Sequence, residues 1–216
     1  KPEFVYGDYL YVTTTSAGLP EHFKNLVDII FKKKIITNHS KILEIGSNVG
    51  TLLSFFQKKD CMVLGVDPAK NLVSSHHNKF ETITKMFNYN LSKYILSKHG
   101  KFDLVIANNV IANIDDLNDA FKAISLILKN HGFFVMETFS LYGVIKKNLI
   151  DNIYHEHLSY FTIQGLQNFA LKFNLKLFSA EHLNVKGGSI RFFFKKTFQN
   201  IKINSTTIKS IKNEHK

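Results

Sequence analysis

Two histidines, a glutamate and two tyrosines crowd the segment Asp151-Asn152-Ile153-Tyr154-His155-Glu156-His157-Leu158-Ser159-Tyr160-Phe161. These are side chains of proton transfer. Histidine is the natural general base near neutral pH, tyrosine can donate to a developing oxyanion, and glutamate can fix a histidine tautomer. His155 and His157 beside Glu156 could instead hold a metal, but no third ligand is evident and no metal site is expected. A hydrogen-bonded structural cluster is the plainer alternative.

A second constellation begins at Glu44-Ile45-Gly46-Ser47-Asn48-Val49-Gly50, directly after a short apolar run. Gly46 can turn tightly and let a ligand approach the backbone, and Gly50 can let the next helix pack closely. The G-x-G-x-x-G fingerprint, which seats a dinucleotide pyrophosphate at a helix N-terminus, is absent. The reading that fits is an adenosyl ligand without phosphate, S-adenosyl-L-methionine. Asp67, followed by Pro68, stands 21 residues after Gly46, where a carboxylate can accept from both ribose hydroxyls. Phe87 and Asn88 are expected at the adenine, although Phe87 also reads as core. Asn108 and Asn109 are expected at the methionine portion or the substrate, although asparagine is equally a turn residue.

These residues need elements to hold them. Apolar side chains at Phe23, Leu26, Val27, Ile30 and Phe31 carry the helical stripe over 20–34. Helices are also predicted over 51–58, 69–78, 91–99, 116–129 and 163–173, with Asn130-His131-Gly132 stopping the fifth. Strands are predicted over 41–45, 62–66, 80–84, 102–107, 132–137, 175–179 and 189–195. Alternation of strands and helices predicts a parallel sheet, and strands 6 and 7, lacking a helix between them, are predicted to pair antiparallel. The fold class is α/β: a Rossmann-like seven-stranded, mostly parallel sheet with helices on both faces and an antiparallel last strand. Ligands bind beyond the carboxyl ends of such strands, where both constellations fall. The expected organisation is an N-terminal segment over 1–19, a cofactor-binding domain over 20–196 and a polar, solvated tail over 197–216. Tyr9, Tyr11 and the run Thr13-Thr14-Thr15-Ser16 form a possible lid or an unstructured arm.

The composition excludes several classes. A 44% hydrophobic and 21% charged chain is ordinary for a globular domain. No apolar run approaches the ~20 residues of a membrane span, and no signal peptide is visible. Cys61 is the only cysteine; it reads as an inert core thiol and fits a reducing cytoplasm. The net charge of +11 comes almost wholly from lysine, with Arg191 the only arginine. Arginine is the preferred reader of bases and phosphates, so no nucleic-acid partner is expected. The expected partner is a small-molecule substrate.

The sequence resembles the C-methyltransferases that act on nucleotide-linked deoxysugars. The resemblance rests on Glu44 to Gly50, Leu64-Gly65-Val66-Asp67-Pro68-Ala69, Ala107-Asn108-Asn109-Val110, Ile153-Tyr154-His155-Glu156-His157 and Gly187-Gly188-Ser189-Ile190-Arg191. It implies a class I S-adenosylmethionine-dependent methyltransferase with His157 as general base and Tyr154 and Glu156 beside it. A tyrosine before the first helix also enters that family's site, and Tyr11 matches it. By analogy, the base removes a proton beside a keto group and the resulting enolate carbon takes the methyl group. The alternatives are methylation of oxygen or nitrogen on a small metabolite or sugar, and a cofactor-binding module that has lost catalysis. Members usually have Asp at the position of Val49 and often His at Asn113. They also carry a zinc-binding cysteine domain and a further C-terminal domain, so this sequence is expected to represent the central domain.

Overall fold

Every central strand feeds alternate side chains into two apolar layers, and this alternation fixes where the strand ends deliver their loops. In the computed structural model, residues 6–7, 12–16, 18–74, 80–185, 188–198 and 200–214 are described. Seven strands form one sheet: β1 (Lys41–Ile45), β2 (Met62–Val66), β3 (Thr82–Ile83), β4 (Phe102–Asn108), β5 (Leu128–Phe139), β6 (Leu175–Leu183) and β7 (Ser189–Lys196). Their order is β3-β2-β1-β4-β5-β7-β6. The first five run parallel, and β7 is antiparallel to both β5 and β6.

On one face, Ile42, Leu104, Ile106, Val135 and Phe193 meet α1 (Leu19–Lys32) through Phe23, Leu26, Val27 and Ile30, and α2 (Thr51–Gln57) through Leu52, Leu53 and Phe56. On the other, Leu43, Val105, Ala107, Phe134, Phe192 and Phe194 form a layer with three more helices. Leu91 and Ile95 come from α4 (Tyr89–His99), Phe121 and Ile124 from α5 (Leu117–Ile127), and Ile163 and Leu166 from α7 (Ile163–Leu171). The predicted α/β architecture is the observed one. Among the described residues no helix is long and apolar enough to cross a membrane. Cys61 is 6% exposed, and burial, with Asp60 and Asp103 adding, pushes its thiol up to about 11.

The differences from expectation have local causes. Strand β3 is two residues, because β2 ends at Val66 opposite Ile83. Helix α3 (Lys70–Ser74) covers the first part of the predicted 69–78, and residues 75–79 lie outside the described ones. The predicted helix over 116–129 ends at Ile127, because Leu128 is already extended and paired with Phe102. A short helix, α6 (Leu141–Lys146), forms in a stretch read as irregular, where the Ser140 hydroxyl accepts from Gly143 N. The tail, read as solvated, contains α8 (Ser205–Glu214). Thr207 is fully buried; its Oγ1 accepts from Ala180 N at 2.7 Å and donates to Ala180 O at 3.3 Å. That hydroxyl takes the place of a neighbouring strand on the free edge of β6.

Candidate active site

A cavity of about 510 Å³ opens at the carboxyl ends of β1, β2, β4 and β5, and both constellations meet there. Gly46 follows β1 with φ 72, and a Cβ added to it would stand 3.1 Å from the Val110 side chain. Only glycine keeps this crossing of two loops open. Asn48, also left-handed at φ 50, donates its backbone N–H to Asp67 Oδ2 at 2.7 Å. Asp67 Oδ1 accepts from Ala69 N at 2.9 Å. These bonds orient the Asp67 carboxylate, which lines the cavity.

Pro68, Phe87, Asn88, Asn108 and Asn109 also line the cavity. Phe87 is both core and lining, 8% exposed. Asn88 spends its Oδ1 on Leu91 N as the N-cap of α4. Asn109 takes the turn alternative, with φ 54 and its N–H donated to Glu137 O at 2.8 Å. Asn108 is different: its Nδ2 and Oδ1 are both buried without a partner among the described residues. A buried amide left so is costly unless a ligand completes it.

Three expected cofactor residues do not reach the cavity. Glu44 is 3% exposed and lies under the loop, Ser47 packs its hydroxyl toward Gly65 and Thr82, and Gly50 caps α2 in a left-handed conformation. Burial, and next the charge of Asp67, hold the Glu44 carboxyl well above the usual carboxylate range. A carboxyl raised on folding binds its proton more tightly in the folded state. Stability therefore falls as pH rises from the ordinary carboxylate value toward the folded one, by up to about 1.4 kcal/mol per pH unit. Glu44→Gln is expected to match the parent near about pH 4 and to exceed it at neutral pH. Denaturant unfolding at stepped pH measures this, and parallel curves for the two proteins would refute it.

The second constellation sits at the other end of the cavity. His157 Nδ1 lies 2.7 Å from the Asn152 carbonyl, which can only accept, so Nδ1 carries a proton. In the neutral ring Nε2 then holds the free lone pair. The ring is held between Phe139 and Tyr154, at centroid distances of 4.2 and 4.3 Å. Leu158 N and Ser159 N both donate to Ala112 O, which ties this loop to the turn after β4. Tyr154 and Glu156 line the cavity with His157, whereas His155 does not. Tyr11 lies outside the described residues.

Tyr6, which the sequence did not single out, lines the cavity. Burial, and next Glu156, raise the Tyr6 phenol against the opposing Asn113 amide. Burial, then Glu156 and Tyr160, raise Tyr154. Both phenols therefore stay protonated donors at neutral pH. Thr13, from the run read as a possible lid, is anchored to Asn48 Oδ1 through its N–H at 3.0 Å. Asn113 lines the cavity with its Oδ1 buried and unpartnered among the described residues, while Val49 is not part of the lining. The exchange at Val49 therefore leaves the cavity wall untouched.

Asp67, Asp115, Asp116, Asp119 and Glu156 line the cavity, and no Lys or Arg does among the described residues. In a chain of net charge +11, such a site favours a cation and disfavours phosphate. The donor set fits S-adenosylmethionine: a sulfonium among carboxylates, ribose hydroxyls at Asp67 and an unfilled amide at Asn108. The three aspartates after β4 were not singled out in the sequence, where they stand around the start of the helix predicted over 116–129. Asn152 was missed because it acts through its main-chain carbonyl.

Comparison with known proteins agrees. Residues 19–180 match the methyltransferase domain family. The chain is 31% identical over 194 residues to the C-methyltransferase NovU of Streptomyces niveus, covering 89% of this chain and 46% of that protein. It thus spans about half the length of this relative. Among solved structures, the PH0226 protein of Pyrococcus horikoshii OT3 superposes with a TM-score of 0.63 at 16% identity, over 86% of this chain and 95% of that one. The magnesium protoporphyrin IX methyltransferase of Synechocystis PCC 6803, solved with bound SAH, gives 0.61 at 11% identity, over 83% and 84%. With the family model matched over residues 19–180 and the fold shared, the chain belongs to the methyltransferase domain family.

Proposed function

We propose that the chain catalyses C-methylation of a nucleotide-linked keto-deoxysugar by base-assisted enolate formation. The observation that carries this reading is the commitment of His157 Nδ1 to a backbone carbonyl, which readies Nε2 as a base in a ring that lines the cavity. Transfer to oxygen or nitrogen needs no proton taken from carbon. The C-methyltransferase relative supports carbon as the acceptor.

In the cavity S-adenosylmethionine supplies an electrophilic methyl group on a positively charged sulfur. Asp67 would receive the ribose hydroxyls, Phe87 and Asn88 would hold the adenine, and Asn108 would complete its amide on the methionine portion. His157 Nε2 takes the proton from the carbon beside the acceptor's carbonyl. The electron pair moves onto the carbonyl oxygen, where the protonated phenols of Tyr154 and Tyr6 donate. Glu156 stabilises the imidazolium that forms. The enolate carbon would then take the methyl group as the sulfur–methyl bond breaks and S-adenosylhomocysteine leaves; the carbonyl re-forms and His157 releases its proton to solvent. Tyr11 keeps a role in this proposal by resemblance alone. A reducing cytoplasm suits the single buried thiol.

The test is a calorimetric titration with S-adenosylhomocysteine, followed by NMR of the methylated product from keto-sugar nucleotides. Asp67→Ala is expected to weaken cofactor binding about tenfold or more, as loss of hydrogen bonds to a charged group does. Undiminished binding would remove Asp67 from the site. A methyl group found on oxygen or nitrogen would overturn the carbon reading.

A further inference from the structure

A second cavity of about 300 Å³ adjoins the first, between α6, the end of β6 and α8. Its charge is opposite. Lys146, Lys147 and His182 line it with the hydroxyls of Tyr142 and Ser210, and no carboxylate does among the described residues. Lys146 Nζ donates to Tyr142 Oη at 2.7 Å, which draws an ammonium and a phenol together on one wall. Lys147 Nζ stands 3.3 Å from the point a Cβ on Gly188 would occupy, so glycine there leaves the ammonium its place.

The two cavities share Ser189. Ser189 pairs in register with Phe139, and the Phe139 ring lies 4.2 Å from that of His157. A molecule presenting a carbon to His157 thus has its remainder directed past Ser189 toward the lysines. We propose that this second cavity binds the diphosphate of the methyl acceptor, an inference that rests on the acceptor reading above. Five carboxylates on the first side repel phosphate, and two ammonium groups on the second attract it. An acceptor with a neutral keto sugar and an anionic tail can then lie in one direction only. Lysine suits the task as a point charge for phosphate.

The probes are inorganic pyrophosphate and uridine diphosphate, titrated calorimetrically into the whole chain and into the double variant Lys146→Gln/Lys147→Gln. Both probes are expected to bind the parent with an affinity that falls as salt is raised, and tenfold or more weaker to the variant. Lys146→Arg/Lys147→Arg is expected to retain binding, and S-adenosylhomocysteine affinity is expected to be the same in all three, which controls for folding. Equal affinity of parent and glutamine variant for both probes, or no binding to the parent, would overturn the assignment. Lysine-dependent probe binding without methylation of any keto-sugar nucleotide would uphold the anion site and overturn the acceptor reading alone.

Discussion

His157→Ala is expected to lower kcat with a keto-sugar nucleotide by about 10²- to 10⁴-fold, the range a positioned general base contributes. Affinity for S-adenosylhomocysteine should not change, since the residues proposed for the cofactor, Asp67, Phe87, Asn88 and Asn108, stand on other segments than the His157 loop. The separation matters because His157 also packs between Phe139 and Tyr154. A variant that merely loosened the loop would be rescued by an aromatic ring of similar size. His157→Phe should therefore restore the packing and stay as inactive as alanine. Full activity in either variant would remove His157 from the chemistry and leave it a wedge between two rings.

The second large effect concerns stability. Glu137, Arg191 and Glu181 stand opposite one another on β5, β7 and β6. Arg191 and Glu137 are 2% and 1% exposed, with Nε donating to Oε1 at 2.5 Å. His22 Nε2 approaches Glu137 Oε2 at 2.6 Å from α1. Burial alone would raise the Glu137 carboxyl. The His22 hydrogen bond and the Arg191 charge outweigh it and leave the pKa below the usual carboxylate value. Its stabilisation is therefore present above that usual value and is lost as pH falls through the lower, folded one.

Arg191→Met strands a buried carboxylate, which typically costs about 3–5 kcal/mol. Urea unfolding at neutral pH should show this, and the difference should shrink toward about pH 4, where the stranded group can take a proton. The double variant Glu137→Leu/Arg191→Met should recover much of the loss, because replacing both partners by apolar groups is often neutral. A loss below about 1 kcal/mol for the single variant would place the pair among weakly coupled surface charges.

What the sequence made legible follows the range of the interactions. Strands β1 and β2 match their predicted spans because short, mainly apolar runs followed by Gly46 and Asp67 are local signals. The cofactor-side residues that line the cavity, Gly46, Asp67, Phe87 and Asn108, sit at strand ends that topology brings together. Tyr6 and Thr13 were not singled out as cavity residues, because only the folded chain carries them there from before α1. Lys146 and His182 likewise became neighbours through the β6–β7 pairing and not through spacing. Thr207 read as solvated because composition counts a hydroxyl as polar without regard to the edge backbone it completes.

The placement of β7 also sets an order of assembly during synthesis. The last strand of this sheet in chain order is an interior one, flanked by β5 and β6. Until Ser189–Lys196 emerges, β5 has no neighbour on that side and β6 has no strand to join. Between the synthesis of β5 and that of β7 the nascent chain holds an open strand edge with unpaired backbone groups, a condition that favours non-native pairing. A product terminated before β7 would lack Ser189 between the two cavities and the cation beside Glu137. Only a chain translated through this strand can close the sheet, so an incomplete product presents itself to quality control as unfinished.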